Sequence, residues 1–387
     1  MQDLRSTVLA IGLATVAFGA VAQVKVGIIA PFSGPFAHYG VLMKAGAEAY
    51  VASQGGKLGG QTVELIFRDE GAPNPANARN LAQELVVKDK VDYIGGFVFT
   101  PNAAAIAPVI QESKTPAVIF NAATSDITTK SDFYVRTSYT LWQVTVPLAQ
   151  HVAKKGVKKA ITAVTDYGPG IDAENAFKTE FAKQGGQVVE SIRMPLSTTD
   201  FGPFAQRIKA SGAQAVYVFL PGGPPNLGFV RAYQQNGLRQ TGIEFFGTAE
   251  TDEFDLQKFG DTALGLTTAF HYSAAHDSPA NKAFVAAVAK QNKDAVANYA
   301  TVGAWDGMYV IHKMIEATGG KRDGDKAITA AKALKWESPR GPVSIDPATR
   351  HITQNVYLRT VEKGAGGAMV NKEVQNFGAH VDHGLVK

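Results

Sequence analysis

The sequence predicts an α/β protein of two doubly wound lobes joined by a multi-strand hinge. Three observations carry that prediction. Short apolar runs alternate with longer amphipathic segments, the spacing of parallel β-α-β units. The alternation restarts after residue 138, so a second set of strands follows the first. The last third of the chain then supplies too few elements for a layered domain of its own.

Taken in order, residues 24–30 (VKVGIIA) form an apolar run, the pattern of a strand covered on both faces. Residues 38–54 read as a helix that stops at Gly55-Gly56. A strand over 61–70 ends in two acids, and a helix over 75–88 starts on a proline. A strand (92–98), a helix (102–112) and a strand (116–122) complete the first set. The second set alternates helices over 141–155, 170–184, 201–211 and 226–236 with strands over 159–165, 187–194, 215–221 and 243–249. The tail reads as a strand (265–272), three helices (279–292, 298–317, 323–335) and a two-stranded pair (341–346 with 355–363).

Such a tail must pack back onto the lobes. The chain is therefore expected to cross between them near Ser138, Tyr272 and Val356. Residues 23–138 with 273–355 would make one lobe, and 139–272 with 356–387 the other. Several crossings give a hinge that bends but resists other motion, which suits a clamp.

Residues 1–22 stand apart. Arg5 precedes an apolar run from Val8 to Phe18, and Ala20-Val21-Ala22 follows, the pattern of a cleaved secretory signal peptide. The run is short for a membrane span. The mature chain is expected to start near Gln23 and to be exported. The whole 387-residue chain has an ordinary globular composition, 45% hydrophobic and 19% charged. The charge balance, 38 − 34 = +4, is too small and dispersed for a nucleic-acid footprint. The absence of cysteine excludes disulfides and thiolate nucleophiles.

In doubly wound sheets a ligand lies beyond the carboxyl ends of the strands. The first such turn, APFSGPFAHYG (30–40), lacks G-x-G-x-x-G, and Pro31 and Pro35 remove amides that a pyrophosphate would need. It offers Phe32, Ser33 and Tyr39, a hydroxyl with aromatic walls for a small solute. The turn GGFVFTPN (95–102) brings Phe97, Phe99 and Thr100 to a helix start, where free amides and a hydroxyl can seat a carboxylate. FNAATSD (120–126) repeats the device with Thr124 and Ser125. From the second set come Tyr167, Gly222-Gly223 and the acidic turn with Glu250 and Asp252.

There is no G-x-S-x-G elbow and no H-E-x-x-H. Histidines 271, 276, 380 and 383 and the acids Asp69, Glu70, Glu250 and Asp252 read as structural or solvated groups. No catalytic residue, metal or cofactor is expected.

The ordered set KVGIIAPFSGPFAHYG, FRDEGAPNPANARNLAQELVVKDKVDYIGG, TPAVIFNAAT, YVRTSY, DYGPGIDAENAFKTEFAKQGGQVV and DFGPFAQRIKASGAQAVYV resembles the type I periplasmic binding proteins of the branched-chain amino acid (Leu/Ile/Val) family. Those proteins serve ABC transporters, and the resemblance covers essentially the whole mature chain. It implies two Rossmann-like lobes and a monomer in the periplasm. It also implies a small-molecule solute held between the lobes and ABC permease subunits as partners, with no enzymatic activity.

Residue by residue, the resemblance makes Tyr39 the aromatic that covers the solute and Thr100 a holder of its carboxylate. Ala122, Ala123 and Thr124 fall where backbone and hydroxyl groups hold an amino acid. Tyr167 and Gly222 face them from the second lobe, and Gly222 leaves space where relatives place an aromatic. The acid that binds an α-ammonium falls at Ala249, with Glu250 one residue late.

Two readings of the solute stay open. The family favours a branched-chain or hydrophobic amino acid. Phe32, Phe97, Phe99 and Tyr167 offer more aromatic surface than an aliphatic side chain needs, which favours an aromatic carboxylate or amide. A hydrolase on this fold would need a nucleophile and base facing the cleft. A sensory ligand-binding module would be fused to a membrane span or DNA-binding helices.

Overall fold

A computed structural model describes residues 23–385, so the signal peptide expected over 1–22 lies outside the described residues. The first sheet is built from β1 (Val24–Ala30), β2 (Lys57–Leu58), β3 (Gln61–Asp69), β4 (Tyr93–Gly96), β5 (Ala117–Ile119) and β6 (Tyr134–Arg136). Its order is β2-β3-β1-β4-β5-β6, all parallel except the β2–β3 hairpin. Helices α1 (Ala37–Ser53), α2 (Pro75–Gln83) and α3 (Thr100–Ser113) connect these strands. β1 is central, and Val26, Ile28 and Ile29 are fully buried, as its unbroken apolar run requires.

The second set follows as α4 (Leu141–Lys154), β7 (Lys159–Thr165), α5 (Gly168–Lys183), β8 (Gln187–Met194) and α6 (Gly202–Ala210). It continues with β9 (Ala215–Phe219), α7 (Pro224–Gln235), β10 (Glu244–Gly247), α8 (Glu253–Phe259) and β11 (Thr267–Phe270). The tail adds α9 (Pro279–Gln291), α10 (Tyr299–Thr318), α11 (Gly324–Lys332), β12 (Lys335–Ser338), β13 (Gly341–Ile345), β14 (Ile352–Lys363) and β15 (Met369–His380). The second sheet runs β12-β13-β14-β11-β10-β9-β7-β8, with β15 on β14.

The tail packs back on both sheets. α10 lies on α1, so closely that a Cβ on Gly46 would sit 2.3 Å from the Thr301 carbonyl oxygen. Strands β12 to β15 extend the second sheet by antiparallel pairing, the 341–346 strand pairing next to 352–353. The sequence carries no clear signal for β2, β6, α8, β12 or β15. β6 has three residues, too few for a period. β15 is mostly solvent-facing, so its apolar content carries no buried-strand signal. The helix expected over 75–88 is α-helical to Gln83 and then widens into a π-turn over Glu84–Lys88.

One buried side chain ties several distant segments together. The Arg340 guanidinium donates to the carbonyls of Thr137 (2.8 Å) and Ser138 (3.2 Å), to Gln354 Oε1 (2.8 Å) and to Asp306 Oδ2. It also donates to His271 Nδ1 at 3.0 Å, and burial with two neighbouring arginines keeps that imidazole neutral. Asp306 in turn accepts from Ser338 and Trp336.

Candidate functional site

Backbone strain shapes the first strand end. Phe97, just after β4, holds φ +67°, a conformation costly for a bulky L-residue. It is clamped on both sides, with its N–H donating to Ile29 O (2.9 Å) and its carbonyl accepting from Ala122 N (2.8 Å). The reversal sends the Phe97 ring into the core against Tyr134 and turns Val98 toward the second lobe. Thr100 becomes the first residue of α3. Phe99 occupies the N-cap position and supplies no capping side chain.

The turn after β1 is set by Asp69, which accepts from Phe32 N (2.7 Å), Gly71 N (2.8 Å) and the Ser33 hydroxyl. Desolvation is the largest single effect and raises the Asp69 pKa, but these bonds together outweigh it and hold the carboxyl below its usual range. They also hold Phe32 outward against Phe67, and Ser33 stays exposed. Phe36 and Tyr39 turn inward instead. Phe36 packs edge-on against Phe99 at 5.2 Å. Of the four rings expected to wall the solute, Phe97 and Phe99 therefore pack into the lobe that carries them, and Phe32 lies half-buried against Phe67.

The lobes meet around Tyr39. Its hydroxyl lies 2.6 Å from Tyr299 Oη and accepts from Gly222 N at 3.0 Å. The space expected at Gly222 is filled from across the cleft, because a Cβ there would stand 3.2 Å from both tyrosine oxygens. Gly223, at φ +87°, lets His38 come as close as 2.8 Å to where a Cβ would be. The His38 ring stacks on Phe254 of α8 at 4.6 Å and 13°. Burial lowers its pKa from 6.5 to about 4, with Asp255 pulling it up and Lys258 pushing it down.

Behind this contact lies a cavity of about 20 Å³, lined by Tyr39, Asn121, Ala123, Tyr139, Tyr167, Phe219, Ala249 and Tyr299, among others. Larger grooves lie elsewhere, such as one of about 660 Å³ along α2 and α3. The small cavity is the candidate because both lobes line it at their strand ends. Five of its walls are aromatic, and Tyr167 stacks on Phe219 at 19°. Tyr139, Phe219 and Tyr299 were not singled out from the sequence. Tyr139 and Tyr299 lie outside the strand-end turns, and only the crossing near Ser138 pointed to Tyr139.

Beside the cavity, the Thr124 hydroxyl donates to Thr100 Oγ1 (2.9 Å), and a Cβ on Gly168 would be 3.0 Å from Thr124 Oγ1. The starts of α3 and α5 thus approach each other, and neither has a side-chain cap. The buried Arg136 guanidinium donates to the carbonyls of Thr124 and Tyr139 behind them. Burial pulls its pKa down to about 10, offset in part by Asp382 and Asp172. Ala122 spends its N–H on Phe97 and does not line the cavity, whereas Ala123 does.

Glu250 points into its own turn. One carboxyl oxygen accepts from Leu220 N at 3.0 Å and the other from Thr248 N. Burial raises its pKa to about 7, while these amides and Arg359 pull it back. Asp252 caps α8 and accepts from Asn298 Nδ2 at 2.8 Å. His271 bonds to Arg340, and His276 to Glu373 at 2.8 Å.

A family model described as periplasmic binding protein matches residues 23–367. The chain belongs to that family. Within it, the protein is of the type I, branched-chain amino acid group, a solute-binding protein of an ABC transporter. It is 55% identical to the Leu/Ile/Val-binding protein homolog 6 of Brucella melitensis over 94% of this chain and 93% of that one.

Two solved solute-binding proteins of ABC transporters share the fold of this binding protein. One, from R. palustris in complex with 4-hydroxybenzoate, is 55% identical with a TM-score of 0.92, covering 94% of this chain and 100% of that one. The other, from Rhodopseudomonas palustris BisB5 in complex with 3,4-dihydroxybenzoic acid, is 42% identical with a TM-score of 0.90, covering 94% and 99%. Among the described residues no helix is long and apolar enough to cross a membrane.

Proposed function

We propose that this binding protein captures an aromatic carboxylate between its lobes, without catalysis, and delivers it to ABC permease subunits from the periplasm. The observation that carries the reading is the state of Glu250. Each oxygen accepts a backbone amide of its own turn, and the fully buried side chain does not line the cavity, so an α-ammonium in the cavity would meet no carboxylate there. An anion fits better. Two uncapped helix starts and the Thr100–Thr124 hydroxyls adjoin the cavity, with Arg136 behind them. The tyrosines and Phe219 supply flat apolar surface for a ring. The relatives solved with hydroxylated benzoates have the same overall fold. A ring solute needs roughly 150 Å³, so binding must part the walls and shift the Tyr39 bonds.

The lobe boundaries expected from the sequence, 23–138 with 273–355 and 139–272 with 356–387, belong to this proposal. Arg340 favours the positions of the crossings, because its partners Ser138, His271 and Gln354 each lie within two residues of one, whereas β12 and β13, expected in the first lobe, pair into the second sheet.

A thermal-shift comparison of 4-hydroxybenzoate, benzoate and leucine tests the reading. A cognate solute at 100 times its Kd adds about 2.7 kcal/mol of stability. Stabilisation by leucine alone, lost in Glu250→Gln, would return the solute to the amino acid class carried by the Brucella relative's name. Stabilisation by a benzoate that persists in Glu250→Gln supports the proposal.

Closure also has a pH dependence. Burial between the lobes lowers the His38 pKa to about 4, and parting the lobes would return it toward the ordinary 6.5. As pH falls below 6.5, the open form takes up a proton that the closed form refuses, so closure weakens. Solute affinity is expected to drop about tenfold between pH 7 and pH 5.5. In His38→Phe, which keeps the stack, the titration curve should be flat across that window. An equal drop in both proteins would assign the effect to another group.

A further inference from the structure

We infer that Asn121 selects for a ring hydroxyl, its Oδ1 accepting the O–H of the bound aromatic carboxylate. This rests on the aromatic-carboxylate reading above and adds the residue that tells one benzoate from another. Asn121 follows β5, is 8% exposed and lines the cavity between the lobes. Its amide orientation is decided by chemistry. Nδ2 donates to Val98 O at 3.0 Å, and a carbonyl can only accept, so the nitrogen must face Val98. The oxygen is then the free end, and it has no hydrogen-bond partner.

A buried acceptor without a donor is costly, and the cost is recovered only by a solute that brings a donor to it. The same oxygen repels a carboxylate. It therefore orients the solute as well, with the O–H toward Asn121 and the carboxylate away from it. The Thr100–Thr124 pair and the two helix starts offer the complementary seat. A ring with no hydroxyl, or with a methoxy group in its place, leaves Oδ1 stranded. Such solutes are expected to bind about 10- to 100-fold more weakly than the matching hydroxybenzoate.

Calorimetry on the full-length mature protein tests this with 3- and 4-hydroxybenzoate, 4-methoxybenzoate, benzoate and leucine. One hydroxybenzoate isomer should bind at least tenfold tighter than benzoate and 4-methoxybenzoate. In Asn121→Leu, which keeps the bulk and removes the acceptor, that preference should vanish while benzoate still binds. The ligand series on the unmodified protein stands alone if this variant fails to fold. Benzoate binding as tightly as both hydroxybenzoates, or a preference that survives in Asn121→Leu, overturns the role of Asn121 and leaves the solute class intact. Binding of leucine with no binding of any benzoate overturns the solute class, and this inference with it.

Discussion

Arg340→Met is expected to lower the unfolding free energy by about 3–5 kcal/mol, the usual cost of removing one partner from a buried charge pair. The guanidinium is fully buried, and it satisfies two carbonyls, an amide oxygen, an imidazole and the Asp306 carboxylate. Methionine fills much of the volume but donates to none of them. Asp306 keeps its bonds from Ser338 and Trp336, yet it loses the only cation within ion-pair distance among the described residues. Chemical denaturation at neutral pH measures the loss. A change below 1 kcal/mol would mean that water or the remaining donors replace the guanidinium. The double variant Arg340→Met with Asp306→Leu should be less destabilised than the sum of the single changes, since no lone charge is left buried.

Tyr39→Ala is expected to weaken solute binding by roughly 2–4 kcal/mol, about 30- to 700-fold in Kd. The substitution removes a cavity wall and the hydroxyl that joins Tyr299 to the Gly222 amide across the cleft. Tyr39→Phe separates the two effects. It keeps the ring and loses only the hydroxyl, so an intermediate loss is expected. If calorimetry with the cognate solute shows less than a threefold change for Tyr39→Ala, the lobes do not close on that residue.

The order of strands and helices was legible because periodicity is a local property. Residues 159–165 and 187–194 show the same bounds in sequence and structure, since each pairs in parallel with neighbours of the same apolar character. The site was legible only in part. Tyr39, Ala123 and Tyr167, expected at strand-end turns, line the candidate cavity. Thr100 and Thr124 meet beside it. Phe32, Phe97 and Phe99 do not line the candidate cavity, because side-chain direction in a turn depends on dihedrals that composition does not report. Phe97 at φ +67° and the Asp69 bonds at Phe32 reverse what simple alternation suggests. Glu250 illustrates the same gap. Its position in the sequence marks a carboxylate near the cleft, but it turns back onto the Leu220 and Thr248 amides and does not line the cavity.

By itself, then, the sequence determined two doubly wound lobes, strand-end turns as the ligand face, and a first turn too poor in amides for a phosphate. These follow from hydrophobic period, proline chemistry and chain order, which need no knowledge of distant contacts. Only the tertiary structure decided which rings meet. Tyr39 and Tyr299 are 260 residues apart in the chain and 2.6 Å apart at their hydroxyls. Tyr139 and Asn121 share one cavity wall with second-lobe residues only where the lobes come together. The physical reason is that cleft contacts form between elements whose separation in sequence carries no periodic signal. Burial and hydrogen-bond satisfaction across the hinge, centred on Arg340, select them.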